Sequence, residues 1–257
     1  MGEVEFVEGL ATENASGTYG RAQVAAAIIG YADLKRGEQV APVLEAMQTV
    51  SPARFRGIRH SVGWDPSPEL VNRDIPGVLS SDQYRAGARV LAGMGLCLEN
   101  SLYHPQLAEL AAFARAVPDL TIIVNHIGGL VRIGSYANRD DDVLPAWRRG
   151  IAAVSACPNV IMKLGGVGQH RFGFDWHARA QPIGSEELAA ALAPLMHYCI
   201  EQFGPDRCMF ESNFPVEKLS TSYVNLWNSF KRITAKYSAG ERAALFHDTA
   251  ARVYRIA

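Results

Sequence analysis

Six short runs of apolar, β-prone residues recur along this chain, each followed by a turn and then by a segment of helical periodicity. They are residues 26–31 ("AAIIGY"), 55–61 ("FRGIRHS"), 95–99 ("GLCLE"), 120–125 ("LTIIVN"), 160–164 ("VIMKL") and 208–212 ("CMFES"). Strands that are apolar at nearly every position need cover on both faces, and a parallel sheet with crossover helices supplies it. That leaves a closed (β/α) barrel or an open doubly wound sheet. No G-x-G-x-x-G or G-x-x-x-x-G-K-[ST] follows any of the strands, so the phosphate-binding turns of open sheets are absent and the barrel is favoured. Between the strands, "PQLAELAAFARAV" starts at Pro105 and repeats apolar residues at Leu107, Leu110, Ala111 and Ala114. Ser185 reads as the N-cap of a helix that Pro194 should kink and Gly204-Pro205 should end. Ser238 and Glu241 form a capping box for the last helix.

At 257 residues, 48% hydrophobic and 20% charged, the chain can bury a full core, and a single domain over 1–257 is expected. A formal charge of −1 gives no basic face for nucleic acid and no polybasic anchor for a membrane, so a small-molecule substrate is the expected partner. Cys97, Cys157, Cys199 and Cys208 show no C-x-x-C spacing and read as reduced core residues. With no signal-type segment and no apolar run of membrane-spanning length, the expected location is cytoplasmic; a homo-oligomer is compatible with the sequence.

In a barrel of this kind chemistry sits where strands end and loops begin. All six strands end in polar residues: Asp33; Arg59 and His60; Glu99 and Asn100; Asn125 and His126; Lys163; Glu211 and Asn213. Side chains alternate along a strand, so Glu211 and Asn213 share a face, as do Ile122, Val124 and His126, and Ile161 and Lys163. The result is a ring of Arg59, Glu99, His126, Lys163, Glu211 and Asn213 at the barrel mouth. Each member also has a plain structural reading: Asp33 as a cap, His60 turned outward toward a helix, Glu211 paired with Lys163 or Arg59. Six together are harder to explain so, because buried charge without a task is costly. Trp64, Tyr103, Phe172 and Trp176 lie in loops that either wall a pocket or anchor local packing. Residues 132–142 and 168–182 are long loops on the same side, where specificity is usually set.

The stretches "TIIVNHIGG", "VIMKLGG", "MFESNFPVEK" and "LFHDTAARVYRI" resemble the amidohydrolase-related family of metal-dependent hydrolases, specifically its lactonase-like branch. The resemblance extends along almost the whole chain and implies a (β/α)8 TIM-barrel fold. It also implies a site with a His-x-His pair on the first strand, a later histidine matching His126, and an aspartate on the last strand. Two departures stand out. No two of the seven histidines here are separated by two positions, and Asn213 occupies the aspartate position. An amide neither accepts a proton as a general base nor ligates a hard cation well. Only about six of eight βα units are recognisable, and the first resembles the family's third, so an N-terminally shortened form of a longer protein is expected.

The resemblance therefore implies hydrolysis of small cyclic esters or related carboxylate-bearing metabolites, with little activity expected from this chain alone. Arg59 would hold a substrate carboxylate, helped by Lys163 or His170, with His60, Tyr103 and Trp64 also against the substrate. His126 would polarise the carbonyl or orient water, Glu211 or Glu99 would act as base, and Asn213 would donate to the oxyanion. A divalent, zinc-like metal is expected on His126 only if upstream residues complete its shell. The alternatives are a metal-dependent decarboxylase of the same superfamily and an inactive barrel that binds a metabolite or partner.

Overall fold

The computed structural model of the chain describes residues 2–17 and 20–256. Six parallel strands pair in chain order into one curled sheet, a half-barrel of α/β type: β1 (Ile28–Gly30), β2 (Phe55–Ser61), β3 (Cys97–Ser101), β4 (Ile122–Val124), β5 (Val160–Leu164) and β6 (Cys208–Phe210). All five predicted neighbours-in-sequence are neighbours in the sheet, which is what short right-sized βα crossovers favour. β2 and β5 match their predicted bounds, while β3 starts and ends two residues later than expected.

Alternation along each strand separates two faces. Ile58, Leu98, Ile122, Val124, Met162, Leu164 and Phe210 join the large core under the helices, so Ile122 and Val124 do not share the inward face expected for them with His126, which leaves the pleat at a positive φ. The inward face carries Cys97, Ile123, Ile161 and Met209 in a second, smaller cluster with Tyr254. Tyr254 comes from the last segment of the chain, where the Ser238–Glu241 capping box starts Ala239–Ala243 and a π-turn leads to the helix Thr249–Tyr254. Arg56 Nε donates to the Tyr254 carbonyl at 2.6 Å and Arg255 Nη1 to the Gly95 carbonyl at 2.7 Å, pinning this segment at the N-terminal ends of β2 and β3. The inward side of the half-barrel is thus filled from below by a helix end, and charge is confined to its upper rim.

One helix appears where the sequence shows no sign of one, and one cap moves by a residue. The helix Gly2–Ala15 carries no apolar stripe, burying only Val4, Ala11 and Asn14, so periodicity gives no sign of it. Gly184 rather than Ser185 is the N-cap of the helix Ser185–Phe203, which runs through Pro194 unbroken; its loss of one backbone donor is outweighed by the buried face of Leu188, Leu192, Leu195 and Met196. Asp33 caps as anticipated, its Oδ1 accepting from Lys35 N. The four cysteines are free and buried. Among the described residues no helix is long and apolar enough to cross a membrane.

Candidate active site

Where β4 ends, four consecutive residues, His126 to Gly129, take positive φ, a turn locked from behind by Trp147 Nε1 donating to the Ile127 carbonyl at 2.8 Å. The turn throws the His126 imidazole across to β6. Its Nδ1 lies 2.6 Å from Glu211 Oε1, and the backbone N–H of His126 donates to the same oxygen at 3.2 Å. Glu211 is held in place because its own N–H extends the β5–β6 ladder to the Leu164 carbonyl. The two glycines after β5 make room for the pair. A Cβ on Gly166 would meet His126 Nδ1 at 2.0 Å, and one on Gly165 would meet the Glu211 carbonyl oxygen at 2.2 Å. The "LGG" at 164–166 is therefore a packing requirement of the dyad.

Beneath the dyad lies a cluster of paired charges. Register places Arg59 beside Glu99, and Arg59 Nε and Nη2 both donate to Glu99 Oε2 at 2.9 and 2.6 Å. The other oxygen of Glu99 accepts from Lys163 Nζ at 2.7 Å and from the Tyr254 hydroxyl at 2.6 Å. Lys163 Nζ also stands 3.8 Å from Glu211 Oε2. Two carboxylates and two cations balance, which lets four ionised groups sit together at a largely buried level.

This arrangement sets protonation. Burial alone would raise the carboxyl pKa values, but the neighbouring cationic and donor groups outweigh it: Glu211 is held down to about 2 by His126, Lys163 and Arg59, and Glu99 to about 2 by Lys163, Arg59 and Tyr254. Burial pushes the His126 pKa below the ordinary 6.5, against the pull of Glu211. At neutral pH the ring is then uncharged. An ionised carboxylate only accepts, so the ring proton sits on Nδ1 and Nε2 keeps its lone pair.

Asn213, also at positive φ, donates through Nδ2 to Glu217 Oε1 at 3.0 Å, while Glu217 Oε2 accepts from Gly168 N at 2.7 Å. Burial raises the Glu217 carboxyl to about 6 despite those two donors. The amide is thus braced by Glu217.

A cavity of about 500 Å³ opens at the C-terminal ends of the strands, walled by His126, Asn213, Arg59, Tyr103 and Arg171. His126, Asn213, Arg59, Tyr103 and His170 of the predicted set meet there. Glu99 and Lys163 do not: both are buried in the cluster below, with Glu99 using both oxygens on partners, so neither serves as a free base or a substrate contact. His60 is spent on structure, its Nδ1 accepting from Leu34 N and its Nε2 lying 2.9 Å from Asp74 beside a neighbouring cavity of about 480 Å³. Trp64 lines neither cavity.

The amidohydrolase family model matches residues 3–256. The chain belongs to that family. The Sinorhizobium fredii protein y4mH is 36% identical to this amidohydrolase over 229 residues, 89% of this chain and 69% of that protein. The L-fucono-1,5-lactonase of Burkholderia multivorans is 26% identical over 232 residues, 90% of this chain and 72% of its own length. A crystal structure of a B. multivorans amidohydrolase with bound zinc shares the fold, with a TM-score of 0.79 at 24% identity over 99% of this chain and 79% of that one.

A divalent metal, which the family resemblance implies, would have to draw on the donors around His126. Around His126 the described residues offer one imidazole, the Glu211 carboxylate and the amide of Asn213, with the Lys163 ammonium beside the carboxylate. One neutral imidazole, one carboxylate already shared between that imidazole and the Lys163 ammonium, and an amide do not fit a divalent ion. Among the described residues the set of three that does bring metal-ligating atoms together, within 4.8 Å, is His170, Asp175 and His177 on the exposed rim. Arg171, Glu217 and Tyr254 escaped the sequence reading. Arg171 was signalled by the neighbouring His170 and Glu217 by its place in "NFPVEK"; nothing local links Tyr254 to a residue 155 positions away.

Proposed function

We propose that this amidohydrolase opens small cyclic esters, with His126 as the general base. The observation that carries the reading is the 2.6 Å contact between His126 Nδ1 and Glu211, which leaves Nε2 unbonded to any described residue at the wall of the cavity. A water on Nε2 gives up its proton to the ring as its oxygen attacks the lactone carbonyl, and Glu211 stabilises the imidazolium that forms. The second N–H of the Asn213 amide is free to donate to the oxyanion. When the tetrahedral intermediate collapses, the ring C–O bond breaks and the leaving alkoxide takes the proton back from Nε2. No step draws on a metal ion. The lactonase relative supports a cyclic ester as the substrate class.

The test is proton release from a panel of lactones beginning with L-fucono-1,5-lactone, for wild type and His126→Gln, with melting curves to show that both are folded. Turnover by the wild type and its loss by at least about 10²-fold in the variant is the expected result. Equal rates in the two proteins, or carbon dioxide release from aromatic acids instead, would remove His126 from this role.

A further inference from the structure

The loop after β5 brings together a set of ligating side chains that shares no member with the His126–Glu211 pair. His170, Asp175 and His177 follow the spacing His-x4-Asp-x-His. The backbone around them is fixed by two successive turns, with Gly173 N donating to the His170 carbonyl at 2.9 Å and Ala178 N to the Asp175 carbonyl at 3.0 Å. Phe172 and Trp176 are buried, and the Phe174 ring stacks on Trp176 with centroids 4.2 Å apart. With its apolar residues anchored in this way, the loop leaves its three polar ones together on the rim, all exposed and with their ligating atoms within 4.8 Å of one another. His170 Nδ1 stands 3.5 Å from Asp175 Oδ1. The imidazoles of His170 and His177 meet edge to face, with centroids 5.0 Å apart.

An ion pair accounts for His170 and Asp175 alone, and at 3.5 Å it is longer than a good hydrogen bond. It gives no reason for His177 to turn onto the same ring. A shared cation does. Bonds of about 2.0–2.1 Å set at a tetrahedral angle put neighbouring ligand atoms about 3.4 Å apart, close to the separation of His170 and Asp175, and rotation of exposed side chains closes the wider gap to His177. Two imidazoles and one carboxylate form a donor set that suits zinc, whereas magnesium and calcium take oxygen ligands. We propose that His170, Asp175 and His177 bind one zinc-like divalent ion on the rim of the cavity. Three protein ligands leave the fourth position to water. The ion ties the two turns of the loop to each other, and because His170 lines the cavity it stiffens one wall of it. Its task is to hold that wall. The reaction proposed for His126 does not draw on it, and the site stands whether or not a lactone is the substrate.

The experiment is calorimetric titration of the tag-free protein with zinc and with magnesium, alongside hydrogen exchange over residues 168–182. One equivalent of zinc is expected, with magnesium at least about 10²-fold weaker. Asp175→Asn keeps the side chain's size and suits a φ of 51°, and His177→Gln changes an exposed residue, so neither threatens folding. Loss of an outer partner of a metal ligand already costs about 10- to 100-fold in affinity, so each of these variants should weaken zinc by at least about tenfold. His126→Gln should leave zinc affinity within about twofold, which separates the rim site from the dyad. Exchange over 168–182 should slow when zinc is added to the wild type and stay as it was in Asp175→Asn. Absence of stoichiometric zinc in the wild type overturns the proposal, as does zinc affinity undiminished in both Asp175→Asn and His177→Gln. Loss of the ion in His126→Gln overturns it too, by placing the metal at the dyad, and zinc bound with no change in exchange over the loop overturns its holding role.

Discussion

Replacing Glu211 with Gln tests the dyad at its weakest assumption, that the carboxylate matters to the reaction rather than only to packing. The side chain keeps its length and its backbone bond to Leu164, and its amide oxygen can still face Nδ1. What goes is the charge opposite the imidazolium. A hydrogen bond to a charged partner contributes about 1.5–3 kcal/mol, and at 1.36 kcal/mol per decade this corresponds to a kcat lower by about ten- to 150-fold. KM should change little, because Glu211 does not line the cavity. The pH profile should move as well. His126 must be unprotonated to act, so the wild-type rate rises with pH through a limb below 6.5; Glu211 is what pulls the histidine pKa up against burial, so its loss shifts the limb further down. Stopped-flow proton release between pH 5 and 9, with melting curves on both proteins, reads both effects. A folded variant within about twofold of wild type and with the same limb would refute the assignment.

Gly166→Ala should displace the His126 ring, since its Cβ would fall 2.0 Å from Nδ1 at a residue with φ of +67°, and a loss of activity by at least about 10²-fold with reduced melting temperature is expected. Tyr254→Phe removes one of four hydrogen bonds to Glu99 and should lower stability in urea by about 1.5 kcal/mol; a change near zero would mean the tail is not docked on the charge cluster in solution. Glu99 and Glu211 are held at about 2, below their unfolded values, so the stability they contribute is complete above about pH 4.5 and disappears as pH falls toward 2. Denaturation curves of Glu99→Gln should therefore show a shallower loss over that acid range. Glu217 has the opposite sign. Its pKa is raised to about 6, so its contribution is complete below about pH 4.5 and is lost as pH rises through 6, and the stability difference between Glu217→Gln and wild type should shift in favour of the variant between pH 5 and 8.

The sheet was legible because its signal is local. Apolar runs such as "VIMKL" have no soluble alternative, and a parallel sheet in chain order follows from helices of the right length between them. The helix Gly2–Ala15 was illegible for the converse reason: it is held by contacts remote in sequence, such as the ion pair of Glu8 with Arg54 and the Ser51 hydroxyl on Glu8 at 2.5 Å, and not by any stripe of its own. Parity along the strand correctly turned Glu211 inward, but it failed one step later. Asn213 leaves the extended conformation, with φ of 51°, so what points it at the cavity is the turn and the brace from Glu217, not the pleat.

That failure also explains why charge type alone misassigned roles at the site. From the sequence, Arg59, Glu99 and Lys163 stand in the same ring as His126 and Glu211, because each lies near the C-terminal end of a strand. Availability depends on what remains after neighbours have taken their share. Glu99 has four donors on two oxygens and keeps nothing for a substrate, while Arg59 has spent the edge that a carboxylate would use. His126 has spent one nitrogen of two. A group held rigidly with its reactive atom unspent is what catalysis and recognition need. By that measure His126, on the turn after β4, is the group best placed to act as the proposed base, and the charge cluster beneath it holds Glu211 ionised.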